Sequence, residues 1–156
     1  MSTDVRAAIS PGELAQIVRR VAGQPELWDS QVRYSAGERF YVRLEQGDGY
    51  EVWLLTWLPG QQTGFHDHGE SSGAFLVVSG GLTETAVATG KPEPLGRTLP
   101  PGTARLFGPH YVHDVRNDST EPAVSIHAYS PPLSSMRRFE VAGDGALRVI
   151  AEERTW

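Results

Sequence analysis

The chain has 156 residues, no cysteine and a formal net charge of −5 from 14 basic and 19 acidic residues. That length fits one domain that folds without staples, a disulfide framework is excluded, and the acidic balance argues against a general nucleic-acid binder. No apolar run approaches the ~20 residues of a membrane helix, and the start MSTDVRAAIS lacks the apolar stretch of a secretory signal, so a soluble cytoplasmic protein is expected, with no membrane, nucleic-acid or obligate protein partner.

One helix is predicted near the start. Ser10 suits the N-cap, Pro11 the first helical position, and Glu13 completes a capping box. Leu14, Ile17, Val18 and Val21 follow the spacing of one apolar helix face, and Gly23 is the stop. Leu27 and Trp28, after Pro25, suggest a second short helix. From about Glu38 the pattern changes to strands. FYVRL and YEVWLLTWL flank Asp48-Gly49, a hairpin signal. GAFLVVS, LTETAVA, TARLFG, YVHDVRN and AVSIHAYS follow, each bounded by Gly, Pro or Asn-Asp. RRFEV and ALRVI then flank Gly143-Asp144-Gly145. Seventeen glycines and eleven prolines are spread along the chain, which fits many turns between short strands. The expectation is an all-β sandwich or barrel.

His66 and His68 stand at i and i+2, a spacing that on a strand puts both rings on one face. With a third imidazole from another strand they can hold three facial positions of an octahedral ion, leaving the rest open for substrate and co-substrate. His-x-His alone is a weak signal, and its surroundings strengthen it. Gly60 lies six residues before His66, and Gly80 closes the segment after LVVS. Pro101-Gly102 precedes the strand with His113, and Asn117 lies four residues beyond it. This layout resembles the two motifs of the cupin superfamily, whose jelly-roll barrel has an open mouth. The resemblance implies a single cupin domain over 1–156, with a helical cap at 1–37 and the barrel at 38–156. The glutamate usual in the first motif would fall at about Ser72 or Gly73, and neither is acidic, while Glu70 is too close to His68. His110 is the rival third ligand. It lies three residues before His113, so its ring would face the other way on a continuous strand, and it follows Gly108-Pro109, which reads as a turn. Side-chain parity and motif position favour His113.

Several stretches resemble cysteine dioxygenase: FHDHGESSGAF, YVHDVRN, EPAVSIHAYSPPL and YVRLEQGDGYEV, together running from about Tyr41 to Leu133. The resemblance implies an Fe(II) thiol dioxygenase that converts L-cysteine to cysteine sulfinic acid with O2. It implies His66, His68 and His113 as iron ligands, Arg43 as the partner of the substrate carboxylate with Tyr41 beside it, and Ser125, His127 and Tyr129 as a hydrogen-bonded outer set. Gly73 stands where mammalian members carry a cysteine bonded to the tyrosine, so this chain resembles the bacterial branch and cannot form that cross-link.

Elementary chemistry agrees. Three neutral imidazoles leave a bound Fe(II) its full charge, which favours a thiolate, and a coordinating thiol is deprotonated by the ion. Zinc would fit the ligands but has no accessible redox change. Ser125, His127 and Tyr129 at i, i+2 and i+4 can all face into the barrel. Arg43 shares a strand face with Tyr41 and could offer a planar fork to a carboxylate, whereas Arg137 or Arg138 could reach the mouth instead. Trp53 and Trp57 read as core or wall. Two other readings stand beside cysteine: another small thiol such as 3-mercaptopropionate or a bulkier one, or a metal-binding cupin that senses a ligand without turnover.

Overall fold

Ser10 starts the first element. In the computed structural model, which describes residues 9–88, 91–92 and 96–153, its hydroxyl accepts the Glu13 N–H at 3.2 Å, and α1 runs Pro11–Ala22. Gly23 ends it by donating to the Arg19 carbonyl at 3.0 Å. The second helix expected after Pro25 is a single 3-10 turn, Pro25–Leu27, and another turn spans Asp29–Gln31.

Twelve strands follow among the described residues: β1 (Tyr41–Gly47), β2 (Tyr50–Trp57), β3 (Phe65–His66), β4 (Ser72–Ser79), β5 (Leu82–Ala88), β6 (Lys91–Pro92), β7 (Arg97–Leu99), β8 (Ala104–Phe107), β9 (His113–Arg116), β10 (Ala123–Ser130), β11 (Met136–Val141) and β12 (Leu147–Glu153). One sheet has the order β1-β2-β10-β4-β8. The other runs β12-β11-β3-β9-β5-β6, with β7 also on β5. All their pairings are antiparallel, and the two-residue turn at Asp48-Gly49 joins β1 to β2, with Gly49 at φ 81°.

Opposed residues of antiparallel strands share a face. Register therefore builds rows across the first sheet. Trp53, His127, Phe75 and Arg105 form one row, which Arg43 extends onto the edge strand. Glu51, Tyr129, Gly73 and Phe107 form the next, and Leu55, Ser125 and Val77 a third, which Tyr41 extends. These rows face the barrel interior. The alternate residues, Val52, Leu54, Ala74, Leu76, Ile126 and Ala128, face outward and are buried. All but Leu54 belong to the cluster they form with Leu14, Val18 and Val21 of α1. Burial on both faces is why AFLVV reads as a continuous apolar run rather than an alternation.

The strand expected at the His-x-His segment is only partly present. β3 stops at His66, so His68 lies beyond the ladder. A turn forms there, in which the Ser71 N–H reaches the His68 carbonyl at 3.1 Å. No helix among the described residues is long and apolar enough to cross a membrane.

Leu14 is fully buried between α1 and the outer face of the first sheet. Leu14→Ala should lower unfolding free energy by about 2–5 kcal/mol in denaturant titration, with metal binding retained, because the cavity opens on the side of the sheet away from the histidines.

Candidate metal centre

The described residues bring His66, His68 and His113 together. One ligand atom from each lies within 4.8 Å of the others, and all three rings are buried. His66 and His113 are directly paired across β3 and β9. His110 stays outside. Its φ is 64°, its ring is exposed, and its Nε2 pairs with Glu70 at 3.1 Å.

Burial, then the neighbouring histidines, pushes the His66 and His68 rings well below the ordinary histidine value. Neutral rings are what metal ligation needs. His66 Nδ1 meets the Gly64 carbonyl at 2.9 Å. A carbonyl only accepts, so the proton is on Nδ1 and the lone pair is on Nε2. That Nε2 lies 3.2 Å from His68 Nε2, while His68 Nδ1 is buried with no hydrogen-bond partner. Without a cation, His68 must spend its one proton on His66 and leave Nδ1 bare. A cation among the three rings would take the lone pairs of the facing Nε2 atoms in place of that shared proton, so the donor set fits a metal ion.

Two acidic groups fix this cluster. Asp67, fully buried between the two histidines, accepts from the Arg137 backbone N–H at 3.0 Å and from Arg137 Nε and Nη2 at 2.9 and 2.8 Å. This fork ties the short β3 to β11 and answers where Arg137 points. On the other side, His113 Nδ1 donates to Glu84 Oε2 at 2.8 Å. Burial pushes the Glu84 carboxyl up, but its His113 and Arg105 donors outweigh it and hold it below the ordinary value.

Beside the histidines, Trp57 Nε1 donates to Ser125 Oγ at 2.9 Å, Ser125 Oγ lies 2.6 Å from His127 Nε2, and His127 Nδ1 lies 3.4 Å from the Tyr129 hydroxyl. Trp57 is therefore more than wall. Its N–H can only donate, which leaves Ser125 free to donate to Nε2, and His127 Nδ1–H then points at Tyr129. Burial lowers the His127 pKa well below the ordinary value and raises that of Tyr129, so the ring is neutral and the phenol keeps its proton.

Arg39 lies beside this pocket. Its guanidinium lies 5.0 Å over the Trp57 ring, and Nη1 is buried with no hydrogen-bond partner. Its charge acts on His66, His127 and Tyr129. Arg43 lies farther out on the same face, with a side chain 48 % exposed and Nη1 4.0 Å from the Glu51 carboxylate. Tyr41, also at the rim, is 41 % exposed and packs edge-on against Trp53. The available signal for Arg39 was its parity with Tyr41 and Arg43 in the sequence, although β1 itself begins at Tyr41. A cleft of about 530 Å³ opens between β1 and β11, lined by Arg39, Tyr41, Gln61, Thr63, Arg138 and Glu153. Arg138 is paired with His66 across the strands but is engaged by Thr63 O at 2.8 Å and Glu153 at 3.0 Å.

Gly73 is required by its neighbours. A Cβ there would lie 2.3 Å from Phe107 Cζ and 3.1 Å from Tyr129 Cδ1. Phe107 fills that space and stacks on His68 with ring centroids 5.1 Å apart.

A family model described as cysteine dioxygenase type I matches residues 4–142. Similar curated proteins include cysteine dioxygenase type 1 of Danio rerio, 26 % identical over 145 residues that cover 85 % of this chain and 71 % of that one. The Homo sapiens protein of that name is 27 % identical over 139 residues, covering 82 % and 68 %. Among solved structures, an uncharacterized conserved protein with a double-stranded β-helix domain from Klebsiella pneumoniae aligns with TM-score 0.58 at 20 % identity over 79 % of this chain and 93 % of that chain. A cupin superfamily protein from Desulfitobacterium hafniense aligns with TM-score 0.55 at 12 % identity over 67 % and 87 %. The cupin barrel expected from the sequence is the fold of this chain.

Alanine at His66, His68 or His113 should abolish stoichiometric binding of a divalent metal, measured by metal analysis after anaerobic loading, while His110→Ala should bind like the parent. Metal loss in His110→Ala with retention in His113→Ala would reverse the ligand assignment.

Proposed function

This chain belongs to the cysteine dioxygenase type I family, and on that premise we propose that it is an Fe(II)-dependent dioxygenase adding both atoms of O2 to the sulfur of L-cysteine, giving cysteine sulfinic acid. The observation that carries the reading is the buried, unpaired Arg39 Nη1 beside a pocket of three buried imidazoles and a protonated tyrosine. A cation with an open donor calls for an anionic substrate group. Three nitrogen ligands and no carboxylate call for a soft, anionic sulfur.

Fe(II) held by His66, His68 and His113 would supply the redox chemistry between sulfur and O2, and would favour the thiolate. The protein's own residues do the rest. Arg39 takes the substrate carboxylate by a charge-assisted hydrogen bond, shielded by Trp57. We assign that role, which the resemblance implied for Arg43, to the arginine with the free donor; Tyr41 borders the cleft, and Arg43 is half-exposed. Tyr129 remains a donor because burial opposes its ionisation, and the Trp57, Ser125 and His127 chain aims it. Its hydroxyl can then hydrogen-bond to oxygen as charge develops there. Phe75, stacked 5.0 Å from His127, helps keep water from this chain.

A bulkier thiol with a carboxylate fits the same proposed chemistry, since Arg39 lines an open cleft through which it could enter. 3-Mercaptopropionate keeps the carboxylate and lacks the amine.

O2 uptake by Fe(II)-loaded protein, with kcat/KM for cysteine, 3-mercaptopropionate and cysteamine, tests the proposal. Cysteine should exceed cysteamine, which lacks the carboxylate. Leaving a buried charge unpaired costs about 3–5 kcal/mol, so Arg39→Ala should lower kcat/KM for cysteine by on the order of 10²–10³-fold and change cysteamine far less. Arg43→Ala should stay within a few fold of the parent. Loss confined to Arg43→Ala would restore the sequence-based assignment, and equal use of cysteine and cysteamine would remove carboxylate recognition altogether.

Tyr129→Phe should keep Fe(II) and substrate binding yet slow turnover by on the order of 10²-fold, the usual cost of one preorganised donor. Single-turnover O2 consumption within a factor of two of the parent would leave Tyr129 a packing role only.

A further inference from the structure

Glu84 occupies a position that the ligand set does not require. It comes from β5, it is 1 % exposed, and each carboxylate oxygen is taken. Oε2 accepts from His113 Nδ1 at 2.8 Å and from the Tyr111 hydroxyl at 3.1 Å, and Oε1 accepts from Arg105 Nε at 2.7 Å. Its donors converge from both sheets: Arg105 stands on β8 of the first, His113 on β9 of the second. Tyr111, just before β9, is stacked on Phe107 with centroids 4.9 Å apart. Three donors fix the carboxylate, and the carboxylate fixes the ring.

The other ligands are treated differently. His66 Nδ1 meets a neutral carbonyl, and His68 Nδ1 has no hydrogen-bond partner. Only the third ring is backed by an anion. A carboxylate is a stronger acceptor than a carbonyl, and an N–H held by it makes the opposite ring nitrogen a better donor.

We propose that Glu84 is a positioning residue that supplies the metal centre with negative charge through His113, replacing one shell further out the carboxylate ligand missing from the first cupin motif at Ser72 and Gly73. Tyr111 and Arg105 set how much of that charge His113 receives. Each hydrogen bond they donate withdraws electron density from the same two oxygens. The proposal rests on the reading of the three histidines as metal ligands.

The test uses the 156-residue chain and its Glu84→Gln, Tyr111→Phe and His113→Ala variants. The readouts are the Zn(II) dissociation constant, by chelator competition, and the Fe(III)/Fe(II) midpoint potential of the iron-loaded protein. Glu84→Gln keeps an acceptor for Nδ1 but removes the charge, and should weaken Zn(II) binding by about 10–100-fold and raise the potential. Tyr111→Phe is nearly isosteric and removes one competing donor, so it should lower the potential. Opposite signs are the signature of charge delivered through Glu84, because loosened packing would move both variants in one direction. Zn(II) affinity within a factor of two of the parent in Glu84→Gln, or shifts of the same sign in both variants, would overturn the proposal. Failure of the parent to bind Zn(II) and Fe(II), or retention of both by His113→Ala, would instead overturn the ligand assignment.

Discussion

Everything in the pocket depends on burying three imidazoles side by side. Burial, and then repulsion from the neighbouring rings, keeps His66 and His68 neutral. Neutrality settles only half of the problem. A neutral ring has one proton, and the side on which it sits decides whether a lone pair faces the neighbouring rings. Gly64 makes that decision for His66 and Glu84 makes it for His113. His68 has no such acceptor. Its ring is set by packing, with Phe107 5.1 Å away at 21° and Tyr129 4.9 Å away at 34°. The Gly73 backbone leaves the space that Phe107 needs, so an absent side chain on β4 supports the orientation of a ligand on the loop after β3.

The first sheet works as a ruler. Its strands β2, β10 and β4 stay in register over the stretch that carries Ser125, His127 and Tyr129. Residues that touch therefore come from distant places in the chain: Trp57 beside Ser125, Phe75 beside His127, Gly73 beside Tyr129. α1 buries the opposite face, so the polar residues can face inward while the sheet still has a dry side to stabilise it. The second sheet is thinner where it matters. β3 has two residues, and the Asp67–Arg137 fork supplies the fixing that a longer strand would otherwise give.

Much of this was legible in the sequence because strand parity is a strict code. The alternation in AVSIHAYS brings Ser125, His127 and Tyr129 to one face, and the turn that Gly108-Pro109 signals sets His110 apart from His113. The helix was written in its cap, from Ser10 to Gly23. The parts that were not legible depend on distance across strands. LTETAVA looks like an ordinary alternating strand, and nothing within it says that Glu84 will find His113 twenty-nine residues later. Asp67 reads as filler between two ligands until Arg137, seventy residues on, closes on it. Arg39 and Arg43 share parity, so their periodicity cannot rank them. Depth does, and depth depends on Trp57 and on how the edge strand leaves the sheet.

The charges in the pocket are arranged in sequence from front to back. Arg39 and Arg138 border the cleft and act on each other and on His66. The neutral rings lie beyond them, and the acid lies behind His113 with its oxygens already occupied. The net charge of −5 gives no hint of this local field. If Arg39 takes a substrate carboxylate as proposed, the order has a consequence for recognition. A carboxylate placed among the ligands would face the open side of the pocket, where the Arg39 guanidinium has a donor to spare. The two would pair, and the donor would be lost to substrate. With the acid on β5, held by Arg105, Tyr111 and His113, its charge can act on the metal centre without reaching the entrance. Arg39 then keeps an unfilled hydrogen-bonding position in a buried setting, where an incoming carboxylate gains most from supplying the missing partner.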